Sequence, residues 1–140
     1  MKTHGLALLG IALVTLGGCA KESNPAAEKL GIASSEAWLA VVDSEKYDES
    51  WDEAAEYFKS AITRDKWKES LQAVRKPLGR MVSRKLKSQQ YFTTIPGAPD
   101  GEYVVIQYDT VFENKKAAVE TITPMLDKDG KWKVSGYFIK

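Results

Sequence analysis

From residue 30 onward the apolar positions fall first at helical and then at strand spacing. Leu30, Ala33, Ala37, Trp38, Val41 and Val42 recur at intervals of three and four, which places them on one face of a helix. Trp51, Ala54, Ala55, Phe58 and Ile62 predict a second helix, with Ser50 and Glu53 spaced as a capping box at its start. A third begins near Thr63, carries Trp67, Leu71 and Val74 on one face, and stops where Pro77 and Gly79 cannot continue it. After Arg80 the period changes to two. Val104, Ile106, Tyr108 and Phe112 alternate with Gln107, Asp109 and Glu113, and Trp132, Val134 and Phe138 alternate with Lys131, Lys133 and Ser135. Residues 117–126 form a strand between them, bounded by the turn signals at 113–115 and 127–130. A more polar strand, about 81–94, precedes these. Short connections favour sequential antiparallel pairing. The expected fold is α+β: three N-terminal helices packed on a curved four-stranded antiparallel meander, as one domain over residues 28–140. Trp38, Trp51 and Trp67 lie on the helical stripes and are expected in the core, the alternative being a ligand-stacking role.

The chain ahead of this domain has a different pattern. Lys2 supplies a positive end, residues 6–16 form an uncharged, mostly apolar run, and Gly17-Gly18 is small enough for a peptidase, so residues 1–18 read as an export signal. The run is too short to span a bilayer, which takes about 20 apolar residues. Leu16-Gly17-Gly18-Cys19 resembles the bacterial lipobox, in which the cysteine is acylated and becomes the first mature residue. That resemblance implies a lipoprotein signal peptide, a membrane anchor at Cys19 and, with Ala20 as the sorting residue, an outer-membrane location facing the periplasm. Each acyl chain adds about 0.8 kcal/mol per buried CH₂. Residues 19–27, the cysteine followed by AKESNPAA, read as a lipidated tether reaching roughly 28 Å, which keeps the domain near the membrane.

Composition narrows the chemistry. The only histidine, His4, lies in the signal, and Cys19 is the only cysteine. The mature chain therefore has no Ser-His-Asp or Cys-His nucleophile and no histidine- or cysteine-based metal site, and no cofactor is expected. There is no Walker loop, no GxGxxG and no internal repeat. Charge is uneven: residues 19–57 hold ten acids and three bases, residues 58–91 ten bases and two acids. Either the two segments face one another and neutralise, or the basic segment meets anionic lipid headgroups. Export and overall neutrality argue against nucleic acid.

The run YFTTIPGAPDGEYVVIQY, then AAVETITPML and the ending DGKWKVSGYFIK, resembles the bacterial family called domain of unknown function 4019 over residues 33–140, with PGAPDGEYVV and WKVSGY the most specific segments. The resemblance implies a cystatin-like or nuclear-transport-factor-2-like fold and no established activity. Shared fold does not settle function.

Two site candidates come from local pattern. On the first strand the alternate set Val82, Arg84, Leu86, Ser88, Gln90 and Phe92 begins and ends apolar, so an arginine falls on the face toward the helices. It needs a carboxylate, water or a ligand anion, since an unpaired buried charge costs several kcal/mol. Glu120 is the partner by pattern if Ala118, Glu120, Ile122 and Leu126 face inward; the uncharged set Ala117, Val119, Thr121 and Met125 is the alternative. Arg84 is then either structural or solvent-facing, or lines a pocket with Tyr108 or Glu120. The second candidate is the loop IPGAPDG, where Pro96, Gly97, Pro99 and Gly101 make a stiff connection or a preformed rim for a partner.

These observations favour a lipid-anchored cell-envelope protein with a non-catalytic binding or interaction domain, its partners an envelope protein or a small anionic or amphipathic ligand. A small enzyme of the ketosteroid-isomerase kind, with Tyr108 and Glu120 as acid and base, and a structural spacer are the alternatives. Cys19→Ala is expected to abolish palmitate incorporation and signal-peptidase-II cleavage; a wild-type chain that takes up no label would remove the lipoprotein reading.

Overall fold

A computed structural model describes residues 23–140; the expected signal peptide and residues 19–22 of the expected tether, Cys19 among them, lie outside the described residues, while Pro25, Ala26 and Ala27, expected as tether, already belong to the first helix. Four helices precede four strands: α1 (Pro25–Asp43), α2 (Tyr47–Asp52), α3 (Glu56–Ala61), α4 (Arg64–Leu78), β1 (Met81–Phe92), β2 (Tyr103–Phe112), β3 (Lys115–Leu126) and β4 (Trp132–Ile139). The strands form one antiparallel sheet in the order β1-β2-β3-β4, the sequential meander expected from the short turns.

α1 starts where Asn24 caps it, the side chain accepting the Ala27 amide at 3.1 Å, with Pro25 in the first turn. Its buried stripe is Ala27, Gly31, Ser35, Trp38, Leu39 and Val42, rotated from the expected one; Leu30 is exposed, and so are Ala33 and Ala37. Close approach to the sheet selects small residues here. A Cβ on Gly31 would sit 3.0 Å from Val104 Cβ and 3.2 Å from Pro124 Cγ.

The second expected helix is two short ones. Of its apolar stripe Ala54, Ala55 and Phe58 are buried and Trp51 and Ile62 partly so, but no capping box exists: Ser50 is inside α2, and its hydroxyl donates to the Tyr47 carbonyl at 2.6 Å. The break has a tertiary cause. The Ala55 amide donates to the Val134 carbonyl on β4 at 2.8 Å, and the next amide, Glu56, donates to the Asp127 carboxylate at 3.1 Å. Both amides are thereby taken from any continuous helix. Trp38 and Trp67 are core residues, Trp51 is partly buried against the core, and the indole N–H of each has an acceptor. Trp38 donates to the Ser50 carbonyl, Trp67 to the Ser50 hydroxyl and Trp51 to the Ile62 carbonyl, at 2.8–2.9 Å. Trp67 also packs edge-on against Phe58, and Trp38 edge-on against Tyr137.

α4 buries Trp67, Leu71 and Arg75, whereas Val74, expected on that face, is 48% exposed. It ends at Gly79, whose φ of 74° suits glycine. Acidic and basic segments do face one another: Arg64 pairs with Asp52 at 2.9 Å and Lys68 with Asp48 at 3.2 Å, joining α4 to α2.

Strand faces follow the bulges. On β1 the extra residues are Val82 and Lys87, and directly paired residues share a face. Arg84 lies opposite Thr110 and Leu86 opposite Tyr108, but beyond Lys87 the helix-side face passes to Gln89 and Tyr91, opposite Ile106 and Val104. Ser88, Gln90 and Phe92, expected inward, are therefore on the other face, and Val82 is exposed. On β4 the extra residue is Ser135, which turns Tyr137 inward and leaves Phe138, expected in the core, 53% exposed. On β3 the buried residues are Ala118, Glu120, Ile122 and Pro124 on the helix side and Thr121 on the other face.

No helix among the described residues is long and apolar enough to cross a membrane. Gly31→Val should cost about 1–3 kcal/mol by overpacking against Val104 and Pro124. Adding Val104→Ala should recover part of that loss, read by denaturant unfolding; full additivity would mean the two do not meet.

Candidate functional site

Arg84 enters the space between sheet and helices from β1 and meets two carboxylates. Its Nε donates to Glu120 Oε1 at 2.6 Å and its Nη2 to Glu120 Oε2 at 3.2 Å. Nη1 and Nη2 donate to Asp43 Oδ2 and Oδ1 at 2.7 and 3.0 Å. Asp43 ends α1 and also accepts from Arg75 Nη2 of α4 at 2.9 Å. Glu120 accepts two further bonds, from the Thr110 hydroxyl of β2 at 2.5 Å and from the Tyr137 hydroxyl of β4. A carboxylate offers about four lone-pair sites, and here all are engaged. Two cations and two anions sit together: the side chains of Arg84, Arg75, Asp43 and Glu120 are 12, 5, 19 and 0% exposed.

The electrostatics follow from this pairing. Burial alone would raise the Asp43 pKa, but the bonds and charges of Arg84 and Arg75 outweigh it and hold the carboxyl below its usual range. Burial works against the charged form of Arg84 too, and Asp43 and Glu120 more than offset it, so its pKa is raised. Tyr137 is pushed well up by burial and by the adjacent Glu120 charge, and so acts as a neutral donor.

Arg84 and Glu120 are thus brought together, the first of the two alternatives that the β3 pattern leaves open. Tyr108 is not part of the cluster. It lies opposite Glu120 in the β2–β3 register, is 2% exposed, and its hydroxyl has no hydrogen-bond partner among the described residues. Burial, then the charge of Glu36, pushes its pKa up to about 12. The loop candidates form a tied connection. The Gly97 carbonyl accepts from Tyr57 of α3 at 3.0 Å, the Pro99 carbonyl accepts from Tyr103 at 2.6 Å, and Gly101 donates to the Thr93 carbonyl at 3.1 Å, while Pro96 stays exposed.

Asp43 and Arg75 escaped the sequence reading. Arg75 continues the stripe Trp67-Leu71 at a spacing of four, so it broke an apolar pattern just as Arg84 did, but Val74 at a spacing of three hid it. Asp43 gave no signal, being one of many acids near a helix end. Arg75 Nε and Nη1 are buried without hydrogen-bond partners among the described residues, and the guanidinium instead lies 5.0 Å from the Phe112 ring centroid. At the outer end of the cluster Asp43 and Arg75 line a groove of about 610 Å³ with Tyr47, Lys76, Arg80 and Glu113, and Tyr137 lines a second one with Trp67 and Leu71. None of the four grooves described here is lined by Arg84, Tyr108 or Glu120.

The family DUF4019, described as protein of unknown function, matches residues 34–137, and the chain belongs to it. No curated protein and no solved structure matches the chain.

Arg84→Met strands Glu120 and should cost about 3–5 kcal/mol. Because Thr110 and Tyr137 still need an acceptor, the matched second change is Glu120→Gln, and the double variant should recover about 1–3 kcal/mol of the summed losses in a denaturant-unfolding cycle. Strict additivity would mean that the pair is not coupled.

Proposed function

We propose that this member of the DUF4019 family is a lipid-anchored cell-envelope protein, held by Cys19 at the outer membrane on its periplasmic side, whose domain binds a partner without catalysing a reaction. The anchor rests on the apolar run ending in Leu16-Gly17-Gly18-Cys19. A helical layer led by a long first helix on one face of a four-stranded antiparallel meander supports a cystatin-like or nuclear-transport-factor-2-like fold. The observation that carries the non-catalytic reading is the saturation of Glu120. A general base needs a free lone pair within reach of substrate, and this carboxylate accepts from Arg84, Thr110 and Tyr137 with no exposure. Partner recognition then belongs to the groove at the outer end of the cluster. Asp43, Glu45 and Glu113 line it together with Arg75, Lys76 and Arg80, and since Arg75 already pairs with Asp43 and Arg80 with Glu113, Lys76 is the cation it offers to the anionic part of an envelope protein or small amphipathic ligand.

A second reading rests on Tyr108. Its buried, unpartnered hydroxyl beside the Glu120 position is the one feature an acid–base enzyme of the ketosteroid-isomerase kind would share. A β,γ-unsaturated ketosteroid followed by the absorbance of its conjugated product separates the two. No rate above buffer is expected, and Tyr108→Phe should raise stability by about 1 kcal/mol by removing an unsatisfied buried hydroxyl. A measurable rate lost in both Tyr108→Phe and Glu120→Gln would overturn the non-catalytic reading.

A further inference from the structure

The two edges of the sheet are built differently. β1 carries Lys85 and Lys87, is mostly exposed, and is bulged at Val82 and Lys87. Bulges and lysines are the devices that keep an edge from pairing with another chain. The first half of β4 is covered by the chain itself: the Ser34 hydroxyl donates to the Trp132 carbonyl and the Ala55 amide to the Val134 carbonyl, both at 2.8 Å. Beyond the bulge at Ser135 this cover ends. Val119 and Lys140 exchange both of their main-chain bonds at 3.0 Å, so the alternation of an antiparallel ladder directs Gly136 and Phe138 toward β3 and turns the N–H and C=O of Tyr137 and Ile139 to the outer edge. No backbone group of the described chain meets them there.

This free stretch, Gly136 to Ile139, has no charged side chain. Phe138 is 53% exposed, and Val74, across a slot of about 250 Å³ lined by Trp67 and Leu71, is 48% exposed. The stretch is also held in place, because the Tyr137 hydroxyl is bonded to Glu120. A rigid strand loses little entropy on pairing.

We propose that the end of β4 is a self-association edge, where two copies of the chain pair antiparallel about a twofold axis at Phe138. The register follows from the free groups. With the axis at Phe138, Tyr137 of one copy lies opposite Ile139 of the other, and both pairs exchange both of their bonds. The two Phe138 residues become a non-hydrogen-bonded pair with Cα atoms about 4.5 Å apart and side chains on one face. Lys140 falls opposite Gly136, so no like charges meet. Pairing of β1 with itself near Lys85 and Lys87 would bring lysines together. One symmetric contact thus satisfies the free main-chain groups and covers Phe138, as a twofold interface does with a single self-complementary patch.

So short a contact belongs to the weak class of interfaces, and the direct test is a covalent trap. Phe138→Cys in the full-length chain, treated with copper–phenanthroline, should give a disulfide-linked homodimer as the main species, since the paired Cα separation is within disulfide range. Lys85→Cys on the opposite edge and the wild-type chain, which both keep Cys19, should not. In parallel, sedimentation of the wild-type chain in detergent should show a concentration-dependent dimer. Phe138→Lys should weaken it at least tenfold while circular dichroism stays unchanged. A Phe138→Cys chain that reacts with maleimide yet stays monomeric, a cross-link to a different protein, or an unshifted Phe138→Lys equilibrium would each overturn the proposal.

Discussion

The guanidinium of Arg84 lies between the carboxylates of Asp43 and Glu120, and the arrangement of the domain turns on keeping that group out of water at acceptable cost. A charge this buried is tolerated only when it is paired and when its partners' remaining hydrogen-bonding sites are also filled. Six of the eight elements contribute to that condition. α1 brings Asp43, α4 brings Arg75, β1 brings Arg84, β2 brings Thr110, β3 brings Glu120 and β4 brings Tyr137. An acid at the end of α1 is disfavoured by the helix dipole, and the two arginines beside it reverse that local penalty. The same saturation that stabilises the cluster removes Glu120 as a proton acceptor, which links the packing directly to the non-catalytic reading.

A second set of ties joins the short helices to the sheet. Ser50 serves both Trp38 and Trp67, while Ala55 and Glu56 give their amides to the β4 edge and to Asp127. These bonds split one amphipathic segment into α2 and α3, and they also cover the first half of β4. This cover stops at Val134, and the end of β4 beyond it stays open. Where β1 is blunted by lysines and bulges, the end of β4 has neither lysines nor self-cover, and its apolar Phe138 faces outward.

Much of this architecture was legible in residue order alone. The change from helical to strand period, the sequential meander and the burial of Trp38 and Trp67 follow from local spacing. So does the arginine interrupting the β1 stripe, because each depends on residues a few positions apart. The pairing of Arg84 with Glu120 was reachable as one of two alternatives, since β3 has one face with a charge and one without. Tertiary structure decided the rest. A bulge is a mismatch between two strands, invisible in either, so the switch of faces at Lys87 and Ser135 could not be read from β1 or β4 singly. The break between α2 and α3 depends on acceptors distant in the chain. The roles of Asp43 and Arg75 arise only where the ends of α1 and α4 converge on β1, because an ion cluster is fixed by distances in space and leaves no period along the chain.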